Sequence, residues 1–292
     1  MNQVQDIIDA QQRIIHSPAG LNIVADHRGP AHAPAVILLH GGGQTRHSWN
    51  RAADHLAASG LQCINFDARG HGDSDWSPEG AYSLSDRASD LKAVTDILDT
   101  PFILVGASLG GATAIQAIHE GLRPAGLVLV DIVPEPEPSG LARILNFMQS
   151  HHGGFASIED AAAAVNAYNP HRPPTRDTSG LMKNLRLKDD GRLYWHWDPL
   201  MLSSPQSSHL RNLPTAANTL ITLPEIPVLV VRGLSSDVVS DASIDSFRSR
   251  LPRLQVADIA GAGHMVAGDR NDIFNDAIIA FCKQTLGTAF HG

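Results

Sequence analysis

The sequence predicts an α/β protein with a sheet of about eight mostly parallel strands flanked by helices and a helical cap inserted between strands six and seven. Apolar, β-branched runs of strand length recur with amphipathic stretches between them, the pattern of a sheet covered on both faces. That alternation breaks once. From residue 132 to residue 223 no strand-like run occurs, and Pro134-Glu-Pro-Glu-Pro138 leads instead into helical stretches. Residues 1–131 and 225–292 are therefore expected to form the core, and 132–224 the cap.

The strands are placed at Gln11–His16, Leu21–Asp26, Ala35–Leu39, Leu61–Phe66, Phe102–Ala107, Gly126–Val130, Pro227–Arg232 and Leu254–Ile259. Trp49–Ala58 and Asp86–Leu98 read as helices, the second opening on the capping-box spacing Ser83-x-x-Asp86. A helix follows Ser108 and ends at Gly121, and Asn271–Leu286 puts Ile273, Phe274, Ile278, Ile279, Phe281 and Cys282 at helical spacing. Inside the cap, Ser157-x-x-Asp160 precedes an Ala-rich helical segment.

Composition excludes several classes of function. Hydrophobic residues make up 43% of the 292 and charged residues 18%, a globular composition. A net charge of −8 argues against nucleic acid or an anionic membrane surface as partner. Only two cysteines occur, Cys63 inside an apolar run and Cys282 inside an apparent helix, which suits a reducing compartment and no disulfide framework. The first thirty residues have no basic segment followed by a long apolar one, so the expected location is cytoplasmic. Pro101–Ile118 is uncharged over a membrane-spanning length, but its three glycines read as strand, sharp turn and helix.

That turn carries the chemistry. Gly106-Ala-Ser108-Leu-Gly110 sits between a strand and a helix, where small residues let neighbouring backbone approach a strained serine whose hydroxyl stands above the strand ends. A serine hydroxyl is a weak nucleophile, so a base must take its proton and a carboxylate must orient the base. His264, in the loop Ala260-Gly-Ala-Gly-His264 after the last strand, is placed at the sheet edge beside Ser108. Two carboxylates follow strands at the same edge: Asp237 in Gly233-Leu-Ser-Ser-Asp237, which is favoured, and Asp131, its rival. The oxyanion formed on attack needs donors already in place. Leu109 supplies one amide, and Gly42 in His40-Gly-Gly-Gly-Gln44 is the choice for the second, with Gly43 or Gln44 as alternatives.

Taken together, HGGGQT after strand three, DARGHGDS after strand four, GASLGG, GLSSD and GAGHM resemble the α/β-hydrolase superfamily over nearly the whole chain, and most of all its capped branch of carboxylesterases, lactonases and cofactor-free haloperoxidases. The resemblance implies Ser108 as nucleophile, Asp237 as acid, His264 as base, and Gly42 and Leu109 as oxyanion donors. Relatives that form alkyl-enzymes carry aspartate at the elbow, so Ser108 points to acyl transfer. The triple glycine after His40 departs from the bulky residue many relatives have there, and suggests a roomier oxyanion wall.

The aromatic cluster Tyr194-Trp-His-Trp-Asp198 is a candidate roof for an acyl pocket, so Trp195 and Trp197, with Gly43, Phe147 and Met265, are expected pocket residues. Asp67 and Arg69 are expected to pin the loop after strand four. Neither metal-ligand spacing nor a nucleotide-binding glycine motif occurs, so no metal or cofactor is expected. The leading expectation is a serine hydrolase cleaving carboxylic esters or lactones through an acyl-enzyme. A perhydrolase or carbon–carbon bond hydrolase is the alternative within the same scaffold, and a non-catalytic small-molecule receptor is the alternative outside enzymology.

Overall fold

A computed structural model describes residues 10–168, 178–203, 210–264 and 271–287. Among these residues ten strands run in chain order: β1 (Gln11–His16), β2 (Asn22–Arg28), β3 (Ala35–Leu39), β4 (Gln62–Phe66), β5 (Phe102–Ala107), β6 (Gly126–Val130), β7 (Leu185–Leu187), β8 (Leu193–Trp195), β9 (Val228–Gly233) and β10 (Gln255–Ile259). Eight of them form one sheet in the order β1-β2-β4-β3-β5-β6-β9-β10. β2 pairs antiparallel with both β1 and β4, and every other pairing in that sheet is parallel. The expected eight-stranded, mostly parallel sheet is what the chain forms.

The strand sequences explain the layering. β3 and β6 are buried at every position because helices cover both sheet faces, so their residues need not alternate in polarity. The period of two survives in which face each side chain serves. Ile37, Leu39, Leu104, Leu127, Leu129, Val228 and Val230 join one core; Val36, Leu38, Ile103, Val105, Val128, Leu229 and Val231 join the other.

Against the second core lie helices α1 (Asn50–Ala58) and, at the C-terminal end, Asn271–Leu286, through Leu56, Phe274, Ile278 and Phe281. Against the first core lie α2 (Leu84–Thr95) and α3 (Leu109–His119), through Leu91 and Ile115. The expected capping box holds: Ser83 accepts from the Asp86 amide at 3.1 Å, and the Ser83 amide donates to the Asp86 carboxylate at 2.8 Å. None of the helices among the described residues is long and apolar enough to cross a membrane.

The segment after β6 contains α4 (Pro138–Gln149), α5 (Ile158–Tyr168), one-turn helices at Ser179–Met182 and Leu200–Ser203, and α6 (Leu213–Thr222). The Ser157 hydroxyl accepts from the Asp160 amide at 3.2 Å, as the spacing predicts. Two features depart from expectation. β7 and β8 form an antiparallel ribbon inside the insertion, too short at three residues each to leave a periodic signal. α6 buries Leu213, Ala216, Ala217 and Leu220 in the first sheet core, so the part of the insertion that stands clear of the core layers ends before residue 213.

Candidate active site

At the end of β5 the chain turns sharply into α3, and Ser108 occupies the turn with φ 45° and ψ −112°. A non-glycine residue there is strained, by roughly 1–3 kcal/mol. Its surroundings enforce the conformation: the Ser108 amide donates to Val130 O at 3.0 Å, and the Ser108 carbonyl accepts from the Ala112 amide at 3.0 Å. The flanking glycines are required by contact. A Cβ on Gly106 would stand 2.5 Å from the Gly110 carbonyl carbon, and one on Gly110 would overlap the Leu39 carbonyl. The Ser108 hydroxyl makes no hydrogen bond among the described residues, and it shares a cavity wall with His264.

His264 Nδ1–H donates to Asp131 Oδ2 at 2.6 Å. The acceptor carboxylate fixes the tautomer and leaves Nε2 unprotonated in the neutral ring. Asp131 directly follows β6, is fully buried, has φ 48°, and is anchored by its own amide, which donates to Val231 O at 2.8 Å. Ser236 Oγ donates to the same Oδ2 at 2.5 Å, and the Gly233 amide reaches Oδ1 at 3.4 Å.

The expected pairing of Asp237 with His264 is therefore corrected: Asp131 holds the imidazole. The loop after β9 folds back through Ser236 N–H to Gly233 O and Ser235 N–H to Ala262 O, which carries Ser236 inward and Asp237 out toward solvent. There Arg143 of α4 takes the Asp237 carboxylate with two bonds, 2.6 Å from Nε and 2.9 Å from Nη2. The guanidinium holds that carboxyl below the usual range. Arg143 also donates to Tyr168 O at 3.0 Å and lies 4.7 Å from the centre of the Tyr168 ring. Asp237 thus fastens the insertion to the core.

The sequence does not single out Ser236, because nothing in Gly-Leu-Ser-Ser-Asp separates a hydroxyl turned toward Asp131 from one turned to solvent. Replacing it with alanine removes one bond to a carboxylate, worth about 1.5 kcal/mol. A Ser236→Ala enzyme is expected to turn over about tenfold more slowly with little change in KM, measured in steady state.

The glycine loop after β3 faces the elbow: a Cβ on Gly41 would lie 3.5 Å from Ser108 Cβ, and one on Gly42 would lie 3.7 Å from Leu109 Cδ2. Its amides are mostly committed. Gly41 donates to Gln44 Oε1 at 3.0 Å, Gly43 to His71 Nε2 at 3.1 Å, and Gln44 to Gly41 O at 3.1 Å. The Gly42 amide makes no hydrogen bond among the described residues, so of the three candidate donors in this loop Gly42 remains, while Gly43 and Gln44 are occupied. Asp67 and Arg69 have the expected anchoring role. Asp67 accepts the Arg46 amide at 2.7 Å and the Asp73 amide at 2.9 Å, and Arg69 grips Asp90 with two bonds of 2.6 Å.

Above the elbow lies a cavity of about 340 Å³. Gly43, Phe147, Trp195 and Trp197 line it, together with Met148, whereas Met265 falls outside the described residues. The two indoles stack with centroids 4.9 Å apart and planes 11° from parallel, and Phe147 packs between Trp195 and Tyr168. Apart from His264, no ionisable side chain other than the Tyr168 phenol lines the cavity among the described residues. The cysteine thiols lie elsewhere, buried and free, and burial pushes the Cys282 thiol up to about 12.

The chain is similar to the esterase Rv0045c of Mycobacterium tuberculosis, 28% identical over 250 residues that cover 82% of this chain and 79% of the relative. A crystal structure of that esterase superposes with a TM-score of 0.72 at 27% identity, covering 94% of this chain and 91% of the other. The sn-1-specific diacylglycerol lipase ABHD11 of Mus musculus is 28% identical over 265 residues, 87% of this chain and 82% of the lipase. The solved E-2-(acetamidomethylene)succinate hydrolase shares the fold, with a TM-score of 0.81 at 24% identity over 94% of this chain and 99% of that one. Residues 36–277 match the alpha/beta hydrolase family, and with a strained serine turn between strand and helix and a histidine–carboxylate pair at the edge of its eight-stranded sheet, the chain belongs to that family.

Proposed function

We propose that this protein is a serine hydrolase that cleaves carboxylic esters or lactones, with Ser108, His264 and Asp131 as its triad. The observation that carries the reading is the 2.6 Å bond from His264 Nδ1 to a fully buried Asp131, in the cavity that Ser108 also lines. With Nδ1 protonated and bound, His264 Nε2 takes the proton as Ser108 Oγ attacks the acyl carbon. The negative charge that develops on the carbonyl oxygen meets the amides of Leu109 and Gly42, and the N-terminus of α3 favours it further. His264 returns the proton to the leaving alkoxide. Water, deprotonated by the same nitrogen, then releases the acid and restores the serine.

Substrate class follows from the walls of the cavity. Its lining, aromatic, methionine and aliphatic side chains with the uncharged polar Gln44, Ser48, Asn166, Thr178 and Asn184, suits an uncharged acyl or alkoxy group of small to medium size, since about 340 Å³ lies at the small end of ligand pockets. The named activities of the esterase and lipase relatives support ester cleavage as the reaction class. The insertion, fastened to the core by Arg143 and Asp237, acts as the cap that selects the acyl group.

The test is covalent. A fluorophosphonate is expected to label Ser108 stoichiometrically, as read by peptide mass spectrometry, and to abolish turnover of p-nitrophenyl butyrate in proportion to labelling. Labelling elsewhere, or labelled protein that still turns over ester, would sink the reading. A receptor without catalysis would show no ester turnover at all.

A further inference from the structure

Three imidazoles meet behind the glycine loop, and each spends both ring nitrogens on backbone. His40 donates from Nδ1 to Gly41 O at 2.8 Å and accepts the Ala68 amide at 3.0 Å. His71 accepts the Gly43 amide at Nε2, 3.1 Å away, and donates from Nδ1 to Arg69 O at 3.3 Å. His196 accepts the Gly72 amide at Nδ1, 2.7 Å away, and donates from Nε2 to Gly43 O at 3.3 Å. An imidazole that accepts at one nitrogen and donates at the other is neutral. Burial favours that form, holding His40 below the ordinary histidine range, His71 well below it, and His196 down to about 3.

These bonds converge on one residue. Gly43, at φ 74°, has its amide held by His71 and its carbonyl held by His196. The Gly41 amide is held by the Gln44 side chain. The Gly42 amide, which makes no hydrogen bond among the described residues, sits between these two tethered neighbours. His40 and His71 belong to the core, but His196 belongs to the insertion and lies in sequence between Trp195 and Trp197, both of which line the cavity. Trp197 presses on the same glycine, since a Cβ on Gly43 would lie 3.2 Å from its ring.

We propose that His196 is a positioning residue through which the insertion clasps Gly43 and so holds the Gly42 amide ready for the oxyanion. The inference rests on the ester-cleavage reading and deepens it. Seating the insertion and organising the oxyanion hole become one event, so loosening His196 slows chemistry even for an acyl group too small to touch the tryptophans.

Two substitutions separate this role from plain anchoring. Asparagine can still accept the Gly72 amide but is too short to reach Gly43 O, whereas glutamine can place its amide nitrogen near the position of the imidazole Nε2. With p-nitrophenyl acetate, His196→Asn is expected to lower kcat at least tenfold with KM within twofold, and His196→Gln to recover most of the loss. Affinity for an aryl trifluoromethyl ketone, which forms an oxyanion adduct on the serine, should fall with His196→Asn in the same proportion. An active wild type together with a folded His196→Asn protein of undiminished kcat, or equal losses in the two variants, overturns this inference alone. A wild type that neither labels with fluorophosphonate nor turns over ester overturns the ester-cleavage reading and this inference with it.

Discussion

Replacing Ser108 with alanine is expected to lower kcat for p-nitrophenyl butyrate by about five to six orders of magnitude, the cost of removing a nucleophile that works as a unit with its base. The protein should stay folded, because the Ser108 hydroxyl makes no hydrogen bond among the described residues and alanine inherits the same backbone strain. The strain itself gives a second readout. At φ 45° and ψ −112° any Cβ is disfavoured, by roughly 1–3 kcal/mol, whereas glycine adds only about 0.5–1 kcal/mol of chain freedom to the unfolded state. Ser108→Gly should therefore be as inactive as Ser108→Ala and melt higher, by about 2 °C or more. Calorimetry and steady-state kinetics on the pair check both halves. A glycine variant less stable than the alanine variant would mean that the strained elbow costs the folded state little.

The elbow is legible because a strained serine between a strand and a helix needs glycines at fixed offsets, and Gly106 and Gly110 are local facts of sequence. His264 is legible for a similar reason, lying in a glycine loop just after the last strand. The choice of carboxylate is not local. Asp131 and Asp237 each follow one of two neighbouring parallel strands, β6 and β9, so spacing puts both at the same edge. What separates them is tertiary: Ser236 and His264 converge on Asp131, while Arg143, nearly a hundred residues upstream of Asp237, draws the other carboxylate away. The central sheet strands show in their apolar runs because they are buried between helices on both faces. The ribbon of β7 and β8 does not, since its three-residue strands exist only through pairing with each other and packing within the insertion. Likewise, His71 lies within DARGHGDS and His196 within the aromatic cluster, but neither stretch discloses its role, which arises from backbone groups that come together only in the folded chain.

The second large effect belongs to the carboxylate, and it separates two residues of the same chemistry. Asp131→Asn should lower kcat by about 10⁴-fold, because an amide donates where a carboxylate only accepts and so favours the wrong tautomer of His264. Ser236 would compound the loss, since its hydroxyl now donates to the same oxygen as the imidazole and would face a mixed donor and acceptor. Asp237→Asn should leave kcat within about threefold of wild type. It weakens a partly exposed ion pair with Arg143, worth at most about 1 kcal/mol of stability. Its effect should appear in KM, because α4 carries both Arg143 and the pocket residues Phe147 and Met148. Parallel kcat and KM measurements on the two variants decide the assignment. The reverse result, an inert Asp237→Asn protein beside an active Asp131→Asn one, would require His264 to abandon a 2.6 Å bond to a buried carboxylate and Asp237 to abandon two bonds to Arg143 during turnover. The insertion would then have to lift from the core in every catalytic cycle.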